Sequence, residues 1–355
     1  MRYGQPSSSA RDLSRRSFLR VTGYGSAGLL AGNFLPFSAF GQTLDASQLA
    51  RLDFEVSYRT QISNLPRDAE EVHVWMPLPP VSVAQEIKDL SVSCPLPYEI
   101  TRDELYHNRM VHVVSGPRPF ILEARYHVTR RRMGTHQAEL DSRSARKYLT
   151  LTPRVRVTDE VAAFVDGAVG QAEQPLEVGR RIFDAIVELL SYDKTIPGCG
   201  TGDTAWIMRH KRGKCDDYHA LFMAAMISRQ IPVRWEQGFP LALPTGKDPA
   251  SMRLSGDCSG AHCWVSFYDP SQGWVPCDVS EADKTGEGGA FYFGQLSPNR
   301  FQVSEGRRIV LNPAQGGDPL STFAFAYAEA DGIPLIYGAN YENVIRYTIT
   351  DSESS

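Results

Sequence analysis

From residue 51 to about 132 the apolar positions recur at every second residue. Leu52-Asp53-Phe54-Glu55-Val56-Ser57-Tyr58 alternates, as does Glu71-Val72-His73-Val74-Trp75-Met76 before the stop Pro77-Leu78-Pro79-Pro80. The stretches 110–114 and 120–129 continue the pattern, and this period with Pro and Gly punctuation predicts a β-sandwich-like module over 50–132. Residues 133–157 are polar and mixed and read as a linker. Then the period changes. Thr158-Asp159-Glu160 caps a helical run to Val169, and Pro175-Leu176-Glu177 opens a second, with Ile182, Ala185, Ile186, Leu189 and Leu190 apolar. A short helix over 204–210 feeds Gly213, and Cys215 begins a run rich in Ala, Leu and Met. Two alternating stretches, 260–268 and 274–279, flank the turn-like Asp269-Pro270-Ser271-Gln272-Gly273 and predict a hairpin. The order is α+β: a core at 158–282, followed by a strand-rich extension at 283–355.

The first 42 residues stand apart from this pattern. Ser14-Arg15-Arg16-Ser17-Phe18-Leu19-Arg20 has the twin-arginine form, a Gly-rich apolar run follows, and Ala39-Phe40-Gly41 offers a cleavage site. Asn33, Pro36 and the glycines make the run a poor spanning helix. The expectation is a signal peptide, periplasmic localisation and no stable membrane insertion after cleavage. Removing its five of 37 basic and one of 41 acidic residues leaves 32 against 40, a net charge of −8. An acidic mature chain argues against nucleic acid as a partner. Hydrophobic content of 42% excludes a disordered chain.

Cys215 falls at the start of its helix, with Asp216 and Asp217 in the first turn, where the dipole favours acids. Free N–H groups and the positive helix end favour a thiolate there. Alone, such a cysteine is more often a small buried hydrophobe. The hairpin changes that balance. A turn centred on Pro270 sets His262 opposite Asp278, and a slip of two keeps them on one face as diagonal neighbours. Thiol, imidazole and carboxylate together make the Cys-His-Asp arrangement of nucleophilic acyl transfer. The same register sets Cys263 opposite Cys277 on the other face. A disulfide between them would be somewhat strained; the alternative is two packed thiols.

The ordered motifs resemble the bacterial transglutaminase-like superfamily. Ala205 to Ile207, Gly213-Lys214-Cys215-Asp216-Asp217-Tyr218, Gln230-Ile231-Pro232-Val233-Arg234 and Gly238 match its first part. Ala261-His262-Cys263-Trp264-Val265 and Trp274-Val275-Pro276-Cys277-Asp278 match its second and third. The resemblance spans roughly 175–280 and implies a papain-like α+β core. His219 departs from the pattern and reads as a hydrogen-bonded structural histidine.

These readings converge on an exported cysteine acyl-transfer enzyme acting on a peptide or protein substrate. Cys215 is the nucleophile, His262 the base and Asp278 its orienter, with the Cys215 N–H and Tyr192 as oxyanion donors. Hydrolysis is favoured over cross-linking because an exported enzyme meets abundant water. The competing class is a non-catalytic binding or scaffold module. No cofactor is expected. Cys258, His262, Cys263 and Cys277 fit no familiar zinc spacing. His73, His107, His112 and His127 lack ligand spacing, and Arg130-Arg131-Arg132 reads as a solvated or interdomain charge patch. The stretch 240–260 is expected to run past the site as a wall of the cleft.

Overall fold

The computed structural model describes residues 44–243, 255–257, 260–286 and 290–354. The leader, Cys258 and most of the 240–260 stretch lie outside them. The alternating N-terminal runs do form strands, and two further ones occur at Gln85–Ser93 and Tyr98–Arg102, where exposed charges break the alternation. They sort into two five-stranded antiparallel sheets. One has the order Ser255–Asp257, Tyr341–Ser354, Leu49–Ile62, Phe120–Arg131, Gln85–Ser93; the other Ile333–Pro334, Tyr327–Ala330, Val72–Leu78, Arg109–Ser115, Tyr98–Arg102. Inward residues of both, among them Phe54, Val56, Val74, Val113, Leu122 and Ile345, share one core, which makes a sandwich.

The chain beyond 283 is strand-rich, and its last strands belong to this sandwich in space. Tyr341–Ser354 pairs with Leu49–Ile62 along almost its whole length, and Tyr327–Ala330 pairs with Val72–Leu78. Pairing across nearly 300 residues leaves no local trace in sequence. Residues 133–157 contain the helix α1 (Ser142–Tyr148), capped by Asp141. Arg130 is not a surface charge: it is buried, reaches Gln85 Oε1 at 3.5 Å, and burial pushes its guanidinium down to about 10.

The second layer is helical. Thr158 accepts from Val161 N–H and caps α2 (Asp159–Val169); α3 (Pro175–Leu189) begins on its proline; Asp203 caps α4 (Thr204–His210). These surround α5 (Cys215–Ser228), apolar on all sides and buried from Asp217 to Ile227. α5 packs on a four-stranded antiparallel sheet ordered Gly273–Cys277, His262–Asp269, Val233–Pro240, Arg300–Glu305. Phe239 and Phe301 of this sheet enter the sandwich core, so the two layers are welded through it. Among the described residues no helix is long and apolar enough to cross a membrane.

The hairpin register differs from expectation by two residues. Val265 faces Cys277 and Asp269 faces Gly273, so the turn centres on Ser271. Asp269 Oδ1 accepts from the N–H groups of Ser271 and Gln272, and Gly273 closes the three-residue loop at φ +82°. A left-handed glycine ending such a loop is the usual geometry, and it moves the centre one residue beyond Pro270. Cys263 and Cys277 therefore do not face one another, and both are free thiols.

Candidate active site

Three backbone features deliver Cys215. The short parallel pair Ser191–Tyr192 with Arg212–Gly213 brings the chain to the start of α5. There Asp217 collects the N–H groups of Gly200 at 2.6 Å, Lys214 at 3.0 Å and Gly202 at 3.1 Å. It pins the 198–202 loop to the helix start, and its fully buried carboxylate is satisfied by backbone. A Cβ on Gly213 would sit 2.4 Å from Asp217 Oδ2, which is why that position carries glycine. Cys215 is the first helical residue, so its N–H has no intrahelical acceptor.

His262 opens its strand and faces Gly238 of the neighbour, whose missing Cβ would otherwise strike Phe301 O. Its Nε2 donates to Asp278 Oδ2 at 2.7 Å. That leaves Nδ1 available to the Cys215 thiol, whose interaction with the ring helps to raise the imidazole's pKa. Asp278 is not a strand residue, as the sequence pattern had it. It is the N-cap of α6 (Val279–Thr285): Oδ1 accepts from Glu281 N–H and from Ser280 Oγ, both at 3.0 Å. The signal was present in Asp278-Val-Ser-Glu281, a cap residue followed three positions later by Glu. The two-residue slip and the cap act together: the strand ends at Cys277, and the carboxylate turns toward the imidazole.

Two more groups surround Asp278: Arg300, which carried no readable signal, and His219, which is the hydrogen-bonded structural histidine the sequence suggested. Arg300 Nη1 donates to Oδ2 at 2.7 Å from a buried position and stacks over Trp264. His219, fully buried, donates from Nδ1 to Cys215 O at 2.8 Å and accepts at Nε2 from Val279 N–H at 3.2 Å. These contacts tie the Cys215 backbone to the cap that holds the Asp278 carboxylate.

The charges follow from these contacts. Burial alone would raise the Asp278 carboxyl, but His262 and Arg300 outweigh it and hold it well below the usual range. Burial opposes the His262 imidazolium, yet Asp278 and the Cys215 sulfur lift its pKa to about 10. Cys215 is held well below the ordinary thiol range, first by a hydrogen bond from the Cys263 thiol, then by His262, against burial. The thiolate–imidazolium pair is thus the favoured state. Asp216, 3.7 Å from Cys215 Sγ, is raised to about 7 by burial and by the neighbouring thiolate.

The site opens on a cleft of about 400 Å³ lined by Cys215, His262, Tyr192, Lys194 and Asp216. Gly260, the last residue of the stretch expected to wall the cleft, lines it together with Ala261; most of that stretch lies outside the described residues. Tyr192 is half-buried, its ring under Lys284 at 4.2 Å, and burial, with the Cys215 charge, pushes its hydroxyl up to about 12. It stays protonated and can donate. Two groups of potential metal-binding atoms occur among the described residues: Cys215 with Asp216 and Cys263, and His262 with Asp278 and Glu281. The Cys258, His262, Cys263, Cys277 set includes Cys258, which lies outside the described residues.

Residues 162–279 match the model of the transglutaminase-like superfamily. An uncharacterized protein of Haemophilus influenzae is 28% identical over 216 residues, covering 53% of this chain and 58% of that relative's own length. Among solved structures, a candidate cysteine protease from Cytophaga hutchinsonii superposes with a TM-score of 0.51 at 14% identity, over 85% of this chain and 99% of the other. The periplasmic domain of TgpA from Pseudomonas aeruginosa gives 0.38 at 15% identity, over 69% and 92%. At these identities the superposition on the first of them speaks for the fold. With the ordered motifs, the match over 162–279 makes this part of the chain a domain of the transglutaminase-like superfamily.

Proposed function

We propose that the chain is a cysteine acyl-transfer enzyme that cleaves peptide or carboxamide bonds through a Cys215 thioester. The observation that carries this reading is the buried Asp278–His262 bond of 2.7 Å, with His262 and Cys215 lining one cleft and each shifting the other's charge. The Cys215 thiolate attacks the carbonyl carbon, and the oxygen gathers charge beside the Cys215 N–H, with Tyr192 Oη as the second donor. The His262 imidazolium then protonates the leaving amine. Asp278 holds Nε2–H throughout, so the proton moves at Nδ1. Water, activated by the now neutral Nδ1, releases the acid; an amine in its place would give a cross-link.

Hydrolysis is the preferred outcome. The twin-arginine leader supports export, and an exported enzyme meets water in excess over amines. The test is mass spectrometry of the chain with a glutamine-containing peptide library and a primary amine. New peptide termini or deamidated side chains support hydrolysis. Amine adducts as the main product would make it a transglutaminase, and neither product would overturn the enzymatic reading.

A further inference from the structure

The strand that delivers His262 brings a second thiol to the nucleophile. Cys263 is the next residue, is 3% exposed, and is held in its place by backbone pairing with Gln237. Cys215 Sγ, Cys263 Sγ and an Asp216 carboxylate oxygen all lie within 4.8 Å of one another. Cys263 Sγ also lies 3.6 Å from His219 Nδ1, so it sits above the first turn of α5. No other described cysteine belongs to this cluster: Cys277 lies against Val275 O, and Cys199 against Lys194 O. The acyl-transfer chemistry needs one thiol here, yet the site holds two.

We propose that Cys263 is a resolving thiol: a hydroperoxide oxidises Cys215, and a Cys215–Cys263 disulfide then closes, switching the enzyme off reversibly. This rests on Cys215 being the reactive nucleophile. The Cys215 thiolate attacks the peroxide, its sulfur gains the hydroxyl, and the O–O bond breaks. The expelled hydroxide takes the His262 proton and leaves as water. The Cys263 sulfur then attacks the sulfenic sulfur; the S–O bond breaks, and its hydroxyl leaves with the Cys263 proton as a second water. The two sulfurs together lose two electrons and the peroxide gains two.

The geometry favours the pair in both steps. Peroxide is small and neutral, so Asp216 does not repel it, and the cleft gives it access to Cys215. Closing the bond to about 2 Å requires an approach of less than about 3 Å, within reach of side-chain rotation. Burial pushes the Cys263 thiol far above the ordinary range, which keeps it protonated and unreactive until Cys215 is oxidised. The disulfide would hold the nucleophile away from further oxidation to sulfinic acid, which thiols do not reverse.

The test uses the full chain reduced, desalted and treated with equimolar hydrogen peroxide. Iodoacetamide mapping of the reduced sample first establishes selective labelling of Cys215. After peroxide, the expected result is an intact mass lower by two hydrogens, a non-reduced peptide linking Cys215 to Cys263, and loss of Cys215 labelling that dithiothreitol restores. In Cys263→Ser the same treatment should add oxygen to Cys215, with less than about a tenth of its own starting labelling recovered. Selective labelling of Cys215 in the reduced native chain, followed by sulfinic acid and no linked peptide, would overturn the resolving role alone. Absence of selective labelling would overturn the nucleophile and this inference together. The linked-peptide readout on the native chain does not depend on the variant folding.

Discussion

Paired histidines occur in both layers of the molecule, with opposite electrostatics. In the sandwich His73 and His112 stack on each other and on Trp75, with Nδ1 of one 3.0 Å from Nε2 of the other. Burial, aided by His73, pushes His112 down to about 4. At the cleft His219 and His262 stand 6.4 Å apart around Asp278, and there His262 rises to about 10. Burial opposes the charge in both places. What differs is a carboxylate that is itself buried and fixed by Arg300 and the α6 cap. An imidazole becomes a charged partner for a thiol where such a group is built behind it; in the sandwich the carboxylate bonded to His73 is Glu71, which is exposed.

That contrast is broken hardest at Asp278. Asp278→Asn should cut turnover about 10⁴-fold, as loss of the orienting carboxylate does in a triad. It should also lower stability by about 3–5 kcal/mol, because Arg300 is left buried without its partner. Adding Arg300→Met should recover much of the stability and none of the turnover. Steady-state kinetics and thermal melts on both variants separate the roles, and a double variant that regained activity would show that the carboxylate serves only as a cap.

His219 gives the next largest effect. His219→Phe should destabilise by about 1–3 kcal/mol, since Val279 N–H and Cys215 O lose their partner in the interior. Turnover should fall about tenfold as the nucleophile and the cap come apart. A kcat loss at unchanged KM is expected in single-turnover work; loss in KM alone would make His219 part of substrate binding instead.

The pH behaviour sharpens the comparison. His112 stays neutral in the fold while the unfolded chain takes up its proton, so its contribution to stability is lost as pH falls from about 6.5 to about 4. His262 has the reverse sign: its contribution is complete below its unfolded value and is lost as pH rises toward about 10. His112→Phe should therefore flatten the acid slope of the melting temperature and leave the activity profile unchanged. The profile itself should keep a basic limb near the His262 value. An unchanged acid slope in His112→Phe would assign that slope to other groups.

The smallest effect is expected at Asp216, whose carboxyl titrates at about 7 beside the thiolate. Asp216→Asn removes a negative charge 3.7 Å from Cys215 Sγ. The midpoint of Cys215 alkylation by iodoacetamide should move slightly further down in pH, by less than Asp278→Asn moves it up; an unmoved midpoint would show that Asp216 does not act on the thiolate.

The helices were largely legible because their signals are local: Thr158 and Pro175 mark starts, and Gly213-Lys214-Cys215 marks the start of α5. Cys215, His262 and Asp278 were legible as types in order, and the structure brings the three together. The register was not. It depended on whether Pro270 or Ser271 centred the turn, and Asp269's hydrogen bonds with the left-handed Gly273 decided it. Asp278 was read as the end of a strand because Trp274–Cys277 alternates, although its cap signature was in view. Arg300, Cys263's contact with Cys215 and the pairing of Tyr341–Ser354 with Leu49–Ile62 come from segments far apart in the chain, which periodicity does not connect.

The dependence of Cys215 ionisation on the carboxylate behind His262 can be measured. It is tested most directly by the rate of Cys215 alkylation by iodoacetamide as a function of pH, followed by peptide mapping, in the native chain and in Asp278→Asn. The account predicts a native rate already on its plateau well below the ordinary thiol value of about 8.5, and a midpoint that moves up toward that value in Asp278→Asn. A native midpoint near the ordinary value, or one that the substitution leaves in place, would contradict it.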